Sequence, residues 1–324
     1  MVLAEDVDAD QLRWSVGGAP LGSGWDCLLW PVGTLRGQTL VLRVSRRASA
    51  QALLRNERTV LDHVASCEIE LPMDVPRVLG AADGALLVPW IPGFTAGHVQ
   101  AGAAREAAAR SRVEAEGRCA AAGSACSSAD RLHTTQRELA WMLAAIHGLP
   151  AADLVRNPVR GVPLEHREEA FRADLERARE SSRRDGHVDR ALSPDQSLVA
   201  EERWQRGADA TPWAGPDLLL HGDPHPGNVI IPNEQGPPVL IDWGDTTVGD
   251  PASDLGALLL HDVTAAALDH YRSAATWPGA QDDEVWEALT ARAWAWGARM
   301  AVALAAAYPA EEPLGHVART FLAA

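Results

Sequence analysis

The sequence contains no lysine, so all 29 of its basic residues are arginines. They stand against 44 aspartates and glutamates, which gives the 324-residue chain a formal net charge of −15. Such an acidic surface repels nucleic acids and anionic membranes, and it argues against a general binder of either. It suits cationic small molecules. Any site that needs a positive charge must use arginine.

Cysteine is scarce, and its spacing excludes two further classes of protein. Cys27, Cys67, Cys119 and Cys126 form no CxxC pair and have no histidine at metal spacing, which excludes a zinc site and a disulfide scaffold. Scattered thiols fit a reducing compartment. The first ten residues carry four acids and no base, unlike a signal peptide. Because no apolar run reaches about 18 residues, we expect a cytoplasmic protein without a membrane span.

The chain before Pro92 carries mainly strand patterns. Aliphatic and β-branched runs between glycine turns predict strands over residues 12–45 and 75–91. Between them, apolar side chains at helical spacing predict a helix over residues 49–65. The N-terminal part is therefore rich in strands, with one main helix.

The chain after Pro92-Gly93 carries mainly helix patterns, and this break marks a domain boundary. We predict an N-terminal domain over residues 1–91 and a C-terminal domain over residues 92–324. Helices are predicted over residues 131–147, 165–180 and 251–324, and a loop over residues 181–197. The segment 96–130, rich in alanine, glycine and arginine, fits either a polar helix or a mobile insertion.

Residues 221–255 carry the strongest motifs and read HGDPHPGNVIIPNEQGPPVLIDWGDTTVGDPASDL. The apolar runs Val229–Ile231 and Val239–Ile241 enclose a loop rich in proline and glycine, which predicts a hairpin. Symmetric pairing of the two runs makes Asn228 and Asp242 the next opposed pair. Two oxygen-bearing side chains at the open end of a hairpin are what a hard cation such as Mg²⁺ binds, together with water and phosphate.

Asp223 precedes Asn228 in the same motif and could reach the same space as a base. Taken singly, an aspartate or asparagine in a loop is more often a cap or a turn former. The hairpin register links Asp223 and Asn228 to Asp242, and this joint pattern favours a functional site.

Glu57 is the other unusual acid, because it falls on the apolar stripe of the helix predicted over residues 49–65. A buried carboxylate is costly unless it is paired. On the strand Thr39–Val44, Arg43 shares one face with Val41.

The three motifs HGDPHPGN, IDW and GDPASDL together resemble those of the aminoglycoside phosphotransferase family. Macrolide phosphotransferases, choline kinases and homoserine kinases of the second type share this pattern. The resemblance implies an α+β, bilobal protein-kinase-like fold. In that fold an N-terminal antiparallel sheet lobe with one main helix precedes a larger, mostly helical C-terminal lobe.

The resemblance implies roles for the acids of the motifs. Asp223 would be the catalytic aspartate that orients or deprotonates the acceptor hydroxyl. Asn228 and Asp242 would hold Mg²⁺. His221 would orient the loop, and Asp254 would brace it.

The resemblance also implies a phosphate site in the N-terminal lobe. Arg43 would contact the α- and β-phosphates, and Glu57 would hold Arg43 in place. A salt bridge that only braces strand to helix is the alternative. Gly22, Ser23 and Gly24 would form the turn that covers the phosphates, although such a turn is also common in hairpins.

The segment before Gly93 resembles the hinge that binds the nucleotide base in this family. The carbonyl of Pro89 would accept a hydrogen bond from the base, and the N–H of Ile91 would donate one. Proline lacks the N–H but keeps its carbonyl, so the assignment is chemically allowed.

Together these features predict a small-molecule kinase that uses ATP or GTP with Mg²⁺ and acts on a hydroxyl of an antibiotic-like acceptor. A metabolic kinase for a sugar, choline or homoserine is one alternative, and a catalytically silent nucleotide-binding module is another. We expect no nucleic-acid partner and a monomer or homodimer. Acidic residues of the C-terminal part could hold a cationic acceptor: Glu165, Glu168, Glu169, Asp262, Glu311 and Glu312. Tryptophans of the last helices could instead line an apolar pocket.

Overall fold

The computed structural model describes residues 1–15, 18–115, 128–151, 154, 156–184, 191–233, 236–262, 264 and 266–324. Cys119 and Cys126 lie outside the described residues, as does part of the segment 96–130.

The N-terminal part is built on an antiparallel sheet, as the sequence predicts. Its strands and those that follow are β1 Val2–Leu3, β2 Leu12–Trp14, β3 Gly22–Ser23, β4 Cys27–Leu35, β5 Gln38–Ser45, β6 Gly80–Ala82, β7 Ala85–Pro89, β8 Gly93–Thr95, β9 Leu218–Leu220, β10 Val229–Pro232, β11 Val239–Leu240 and β12 Thr247–Gly249. The first seven form one sheet in the order β1-β6-β7-β5-β4-β2, with β3 beside β4. The centre of this sheet is β5, the strand that carries Arg43.

The C-terminal part is mostly helical, which confirms the predicted α+β class. The helices of the chain are α1 Ala48–Ser66, α2 Ala96–Ala115, α3 Ser128–His147, α4 Glu168–Arg184, α5 Pro194–Ala208, α6 Ala252–Leu259, α7 Ala266–Ala274, α8 Asp283–Ala307 and α9 Pro313–Phe321. The long helix α8 packs against α4, α5, α6 and α9. Its Trp296 is buried, whereas Trp286 and Trp294 pack at the edge of the core. None of the helices in the described ranges is long and apolar enough to cross a membrane.

Helix α1 agrees with its prediction to within a residue at each end. Its buried face includes Leu54, Val60 and Val64, which recur at helical spacing. Glu57 lies on this face and is only 1% exposed. The helix therefore places a carboxylate under the sheet.

The loop predicted over residues 181–197 is shorter than expected. Helix α4 extends to Arg184, and α5 begins at Pro194. Ser193 caps α5: its side chain accepts from the N–H of Gln196, and the Gln196 side chain accepts from the N–H of Ser193. This reciprocal capping box starts the helix.

Strand β8 follows the break at Pro92 and belongs to a second sheet. It pairs with β10, which also pairs with β11. Gly93 lies so close to β10 that a Cβ atom on it would approach the carbonyl oxygen of Ile231 to 2.5 Å. The strand after the hinge is therefore anchored to the hairpin that carries the strongest motifs.

The register of that hairpin differs by one residue from the prediction. Val229 lies opposite Leu240, and the N–H of Ile241 donates to the carbonyl of Asn228 at 2.9 Å. The prediction that Asn228 lies opposite Asp242 is therefore wrong.

A distant segment fixes this register. The N–H of Asp74 donates to the carbonyl of Pro238 (2.9 Å), and the N–H of Leu240 donates to the carbonyl of Asp74 (3.0 Å). These bonds align β11 from its outer side. Symmetric pairing of the apolar runs could not include them, because they come from a part of the chain far away in sequence.

Candidate active site

A cavity of about 410 Å³ lies between the N-terminal sheet and the β10–β11 hairpin. Its lining includes Gly24, Arg43, Pro89, Ile91 and Asp242. The sequence predicted all five for nucleotide or metal binding, from segments that are distant in the chain. The fold therefore brings these residues to one space.

Arg43 connects the sheet, helix α1 and the hairpin. Its guanidinium donates to the Glu57 carboxylate and lies 3.1 Å from an Asp242 oxygen. Burial alone would lower the pKa of Arg43, but the Glu57 and Asp242 carboxylates raise it above its ordinary value. Arg43 is therefore a permanent cation, held by one buried acid and directed toward the cavity.

Asp242 has an unusual backbone conformation. Its φ of 66° and ψ of 65° lie in the left-handed region, which few non-glycine residues adopt, although aspartate and asparagine tolerate it best. Half of its side chain is exposed. A strained residue with an exposed carboxylate at the edge of a cavity is typical of a functional site.

The chemistry of Asn228 complements that of Asp242. The Asn228 amide nitrogen donates to the carbonyl of Asp223 at 2.9 Å, which leaves the amide oxygen as the atom available to a cation. The Asn228 amide oxygen and the Asp242 carboxylate are two hard oxygen donors. Asn228 lies directly before β10, and Asp242 lies two residues after the end of β11. The donor set fits Mg²⁺, which in proteins is bound through a few protein oxygens with water and phosphate.

The segment predicted to be the hinge lines the cavity through Pro89 and Ile91. The N–H of Trp90 donates to the carbonyl of Thr39 on the neighbouring chain segment at 2.8 Å. Because the Pro89–Trp90 peptide is trans, the carbonyl of Pro89 points the opposite way. That carbonyl is directed away from β5, and Pro89 itself lines the cavity.

The predicted phosphate-covering turn lies between β3 and β4. Gly24 lines the cavity, and its N–H donates to the carbonyl of Cys27 at 2.9 Å. Gly22 pairs with Leu29 in the sheet, next to Ser23. Neither glycine needs a positive φ. The turn therefore borders the cavity through Gly24.

Asp223 lies outside the cavity lining, in a loop held by two histidines. The Nδ1 of His221 accepts from the N–H of Asp223 at 3.3 Å, while its Nε2 donates to the carbonyl of Ile241 at 3.2 Å. The Nε2 of His225 lies 3.7 Å from an Asp223 carboxylate oxygen. Burial lowers the pKa of His221, so its ring is neutral and fits this arrangement of one donor and one acceptor.

Asp254 braces the loop from beneath, as the resemblance implied. Its carboxylate accepts from the backbone N–H groups of His221 (2.8 Å) and Gly222 (2.9 Å), and it contacts the Nε2 of His147 at 3.2 Å. Gly222 has φ +90°, and a Cβ on it would approach the carbonyl of Asp245 to 2.3 Å. The glycine of the HGD motif is therefore required by its surroundings.

A model of the phosphotransferase enzyme family matches residues 17–298, well over half of the chain. The chain belongs to this family. The uncharacterized protein YcbJ of Bacillus subtilis (strain 168) is 30% identical to it over 142 residues, which is 43% of this chain and 42% of YcbJ. The match thus spans less than half the length of that relative.

Solved phosphotransferase structures share the fold. Macrolide 2′-phosphotransferase type I is 22% identical, with a TM-score of 0.53 and 99% of each chain covered. Macrolide 2′-phosphotransferase MphH from Brachybacterium faecium is 20% identical, with a TM-score of 0.48 and 94% of each chain covered. The first similarity establishes the bilobal protein-kinase-like fold that the motifs predicted.

In this phosphotransferase, sequence reasoning missed Arg160. One of its guanidinium nitrogens lies 3.0 Å from Asp223 and 3.7 Å from Asp245. Asn157 donates to the same Asp245 side chain at 2.8 Å. Arg160 lies in an irregular segment with no periodicity, so only a search for cations near the HGD motif could have suggested it.

Arg160 controls the charge of the HGD aspartate. Burial alone would raise the pKa of Asp223, but Arg160, followed by His225, His221 and Arg299, lowers it below its ordinary value. The Asp223 carboxylate is therefore ionised throughout the physiological range of pH.

Two of the acidic residues predicted to hold a cationic acceptor have partners within the chain. Glu168 lies 3.6 Å from Arg172, and Asp262 accepts from Thr264. Burial first, then the charges of Glu312 and Asp223, raises the pKa of Tyr308.

Proposed function

We propose that this phosphotransferase is a small-molecule kinase that transfers the γ-phosphoryl group of ATP or GTP to a hydroxyl of an antibiotic-like acceptor. One observation carries the proposal: Arg43, held by buried Glu57, reaches Asp242 at the edge of a cavity that Pro89 and Ile91 also line. A permanent cation, a hard oxygen donor and a backbone acceptor are what a magnesium nucleotide requires.

The cavity would hold the nucleotide, with its base at the hinge and its phosphates toward Arg43. Asn228 and Asp242 would hold Mg²⁺, which when bound neutralises phosphate charge. Asp223 would accept a hydrogen bond from the acceptor hydroxyl and orient it. As the oxygen–phosphorus bond forms and the bond to the leaving nucleoside diphosphate breaks, the hydroxyl proton passes to an Asp223 oxygen.

The proposal also covers the compartment in which the protein acts and the choice between a kinase and a silent module. The described cysteines Cys27 and Cys67 are free thiols, which fits action in the cytoplasm. The silent-module alternative is less well supported, because Arg43, Glu57 and Asp223 are all present in the sequence, and a degenerate module should have lost at least one of them.

Nucleoside diphosphate release tests the proposed function. Mg·ATP and Mg·GTP would each be incubated with aminoglycosides, macrolides, amino alcohols, sugars and hydroxy acids. We expect release that depends on one acceptor class and is lost in Arg43→Gln, because the phosphates lose their cation. If nucleotide binds but no acceptor stimulates release, the silent module replaces the kinase.

The pH dependence of transfer tests the role of Arg160. Removing the guanidinium in Arg160→Gln raises the pKa of Asp223, because Arg160 is the largest of the influences that lower it. A smaller fraction of Asp223 is then ionised at acidic pH, so we expect the acid limb of kcat/KM to move to higher pH. Arg160→Lys, which keeps the charge, should restore much of the profile. An unmoved acid limb in Arg160→Gln would show that Arg160 does not act through Asp223.

A further inference from the structure

Arg160, Arg167 and Arg299 form a cluster of arginines that begins beside Asp223. Arg160 contacts it directly. Arg167 ends a short 3-10 helix, Leu164–Arg167, which packs against α8. Arg299 lies on α8 and is 13% exposed. In a chain with net charge −15, such a concentration of positive charge beside one aspartate calls for an explanation.

The carboxylates nearby neutralise this group unevenly, because Arg160 lies near both Asp223 and Asp245. Arg299 has a single ion pair among the described residues, with Asp174 at 3.8 Å, and Asp174 also accepts from Arg177. Arg167 makes no ion pair with any residue that the structure describes. Arg167 and Arg299 therefore carry more positive charge than their own contacts neutralise.

Unsatisfied donors support the same conclusion. The Nε atoms of Arg160, Arg167 and Arg299 are all buried, and none of them donates a hydrogen bond within the described part of the chain. A buried donor without an acceptor costs free energy, which an anionic ligand would recover.

The excess charge acts on the arginines themselves. Burial first, then Arg160 and Arg167, lowers the pKa of Arg299 to about 9, and Asp223 offsets this only in part. Burial and Arg160 likewise lower the pKa of Arg167. An anion placed among these guanidinium groups would relieve their mutual repulsion.

The nucleotide is not the anion that this arginine cluster would bind. The cavity that would hold it is lined by Arg43, and Arg160, Arg167 and Arg299 do not belong to its lining. Arg160 contacts Asp223 instead, so an acceptor whose hydroxyl meets Asp223 would lie beside the arginine cluster and not in the nucleotide cavity.

We infer that the acceptor carries an anionic group, a carboxylate or a phosphate, which Arg167 and Arg299 bind while its hydroxyl faces Asp223. The inference rests on the proposed kinase activity, because only a kinase has an acceptor. The anion site itself can be tested without turnover.

Anion titration by calorimetry tests the site directly, with malonate as the carboxylate probe and inorganic phosphate as the phosphate probe. We expect wild type to bind at least one of them. Arg167→Gln and Arg299→Gln should bind it about ten- to a hundredfold more weakly, since each loses a charge-assisted contact. Arg299→Lys should retain part of the affinity. Circular dichroism of each variant verifies folding.

Two control variants make the result specific. Arg206→Gln removes an exposed arginine of α5 and should bind the anion as wild type does. Arg43→Gln, in the nucleotide cavity, should also leave anion binding unchanged. The absence of anion binding in wild type would overturn the inference. Binding that is lost in Arg43→Gln but kept in Arg299→Gln would overturn it too, because the anion would then occupy the nucleotide cavity.

Turnover separates this inference from the proposed function. With Mg·ATP, a hydroxy acid should be phosphorylated with kcat/KM about tenfold or more above that of its amide, and the ratio should approach one in Arg299→Gln. Transfer to neutral or cationic acceptors alone would overturn the anionic acceptor and leave the kinase intact. Anion binding without any nucleotide binding would overturn the kinase and leave the anion site.

Discussion

Replacing Asp223 by asparagine should lower kcat for phosphoryl transfer by about 10²–10⁴-fold, the usual contribution of a positioned acid–base group. Asparagine keeps the shape of the side chain but can neither hold the negative charge nor take the hydroxyl proton. Affinity for Mg·ATP should be unchanged, because Asp223 does not line the cavity. Parallel measurement of kcat and of the dissociation constant by calorimetry separates the two effects.

The matched control for this variant is Asp217→Asn. Asp217 is a partly exposed aspartate that pairs with Arg156 at the surface. Its replacement should leave transfer intact. Full activity in Asp223→Asn would mean that another group orients the acceptor, and a loss of nucleotide binding would mean that Asp223 belongs to the nucleotide site.

Asp242→Asn should weaken binding of Mg·ATP by about ten- to a hundredfold, the value of one lost charge-assisted contact. Asparagine is the better choice than alanine, because it tolerates the left-handed backbone at this position. The measurement is calorimetry with Mg²⁺ and, separately, with a chelator.

The titration with a chelator shows whether Asp242 acts through the metal or through Arg43, because the two mechanisms change the affinity for metal-free ATP differently. Without metal, the Asp242 carboxylate faces the phosphates directly and repels them, so Asp242→Asn should bind free ATP as well as or better than wild type. Equal weakening with and without Mg²⁺ would show that Asp242 acts through its 3.1 Å contact with Arg43 instead of through the metal.

Much of the architecture could be predicted because it depends on local patterns. The helix that carries Glu57 was located from its apolar spacing, and the carboxylate on its buried face does contact Arg43. The start of α5 could also have been found, because Ser193 and Gln196 are three residues apart, the spacing of a capping box.

What failed depends on contacts between distant segments. The offset of the β10–β11 pairing follows from hydrogen bonds to Asp74. Asp74 lies far before the hairpin in the sequence. Arg160 reaches Asp223 from an irregular segment. Neither contact can be predicted from the periodicity of its segment, because the partner residue becomes a neighbour only in the folded chain.

The side chain of Asn56 ties helix α1 to the C-terminal part, and this has a consequence for regulation. Its amide nitrogen donates at 2.9 Å to the carbonyls of both Gly244 and Thr246, directly after Asp242. Leu53 packs so tightly on this turn that a Cβ on Gly244 would approach it to 3.0 Å.

A helix fastened in this way holds Glu57 against Arg43 through contacts of the chain itself. Binding then does not have to shift a population from a displaced helix to an assembled one, and no fraction of the intrinsic affinity is lost to that step. The protein should therefore behave as a constitutive enzyme, whose output is set by the supply of its two substrates and not by an on–off switch in α1.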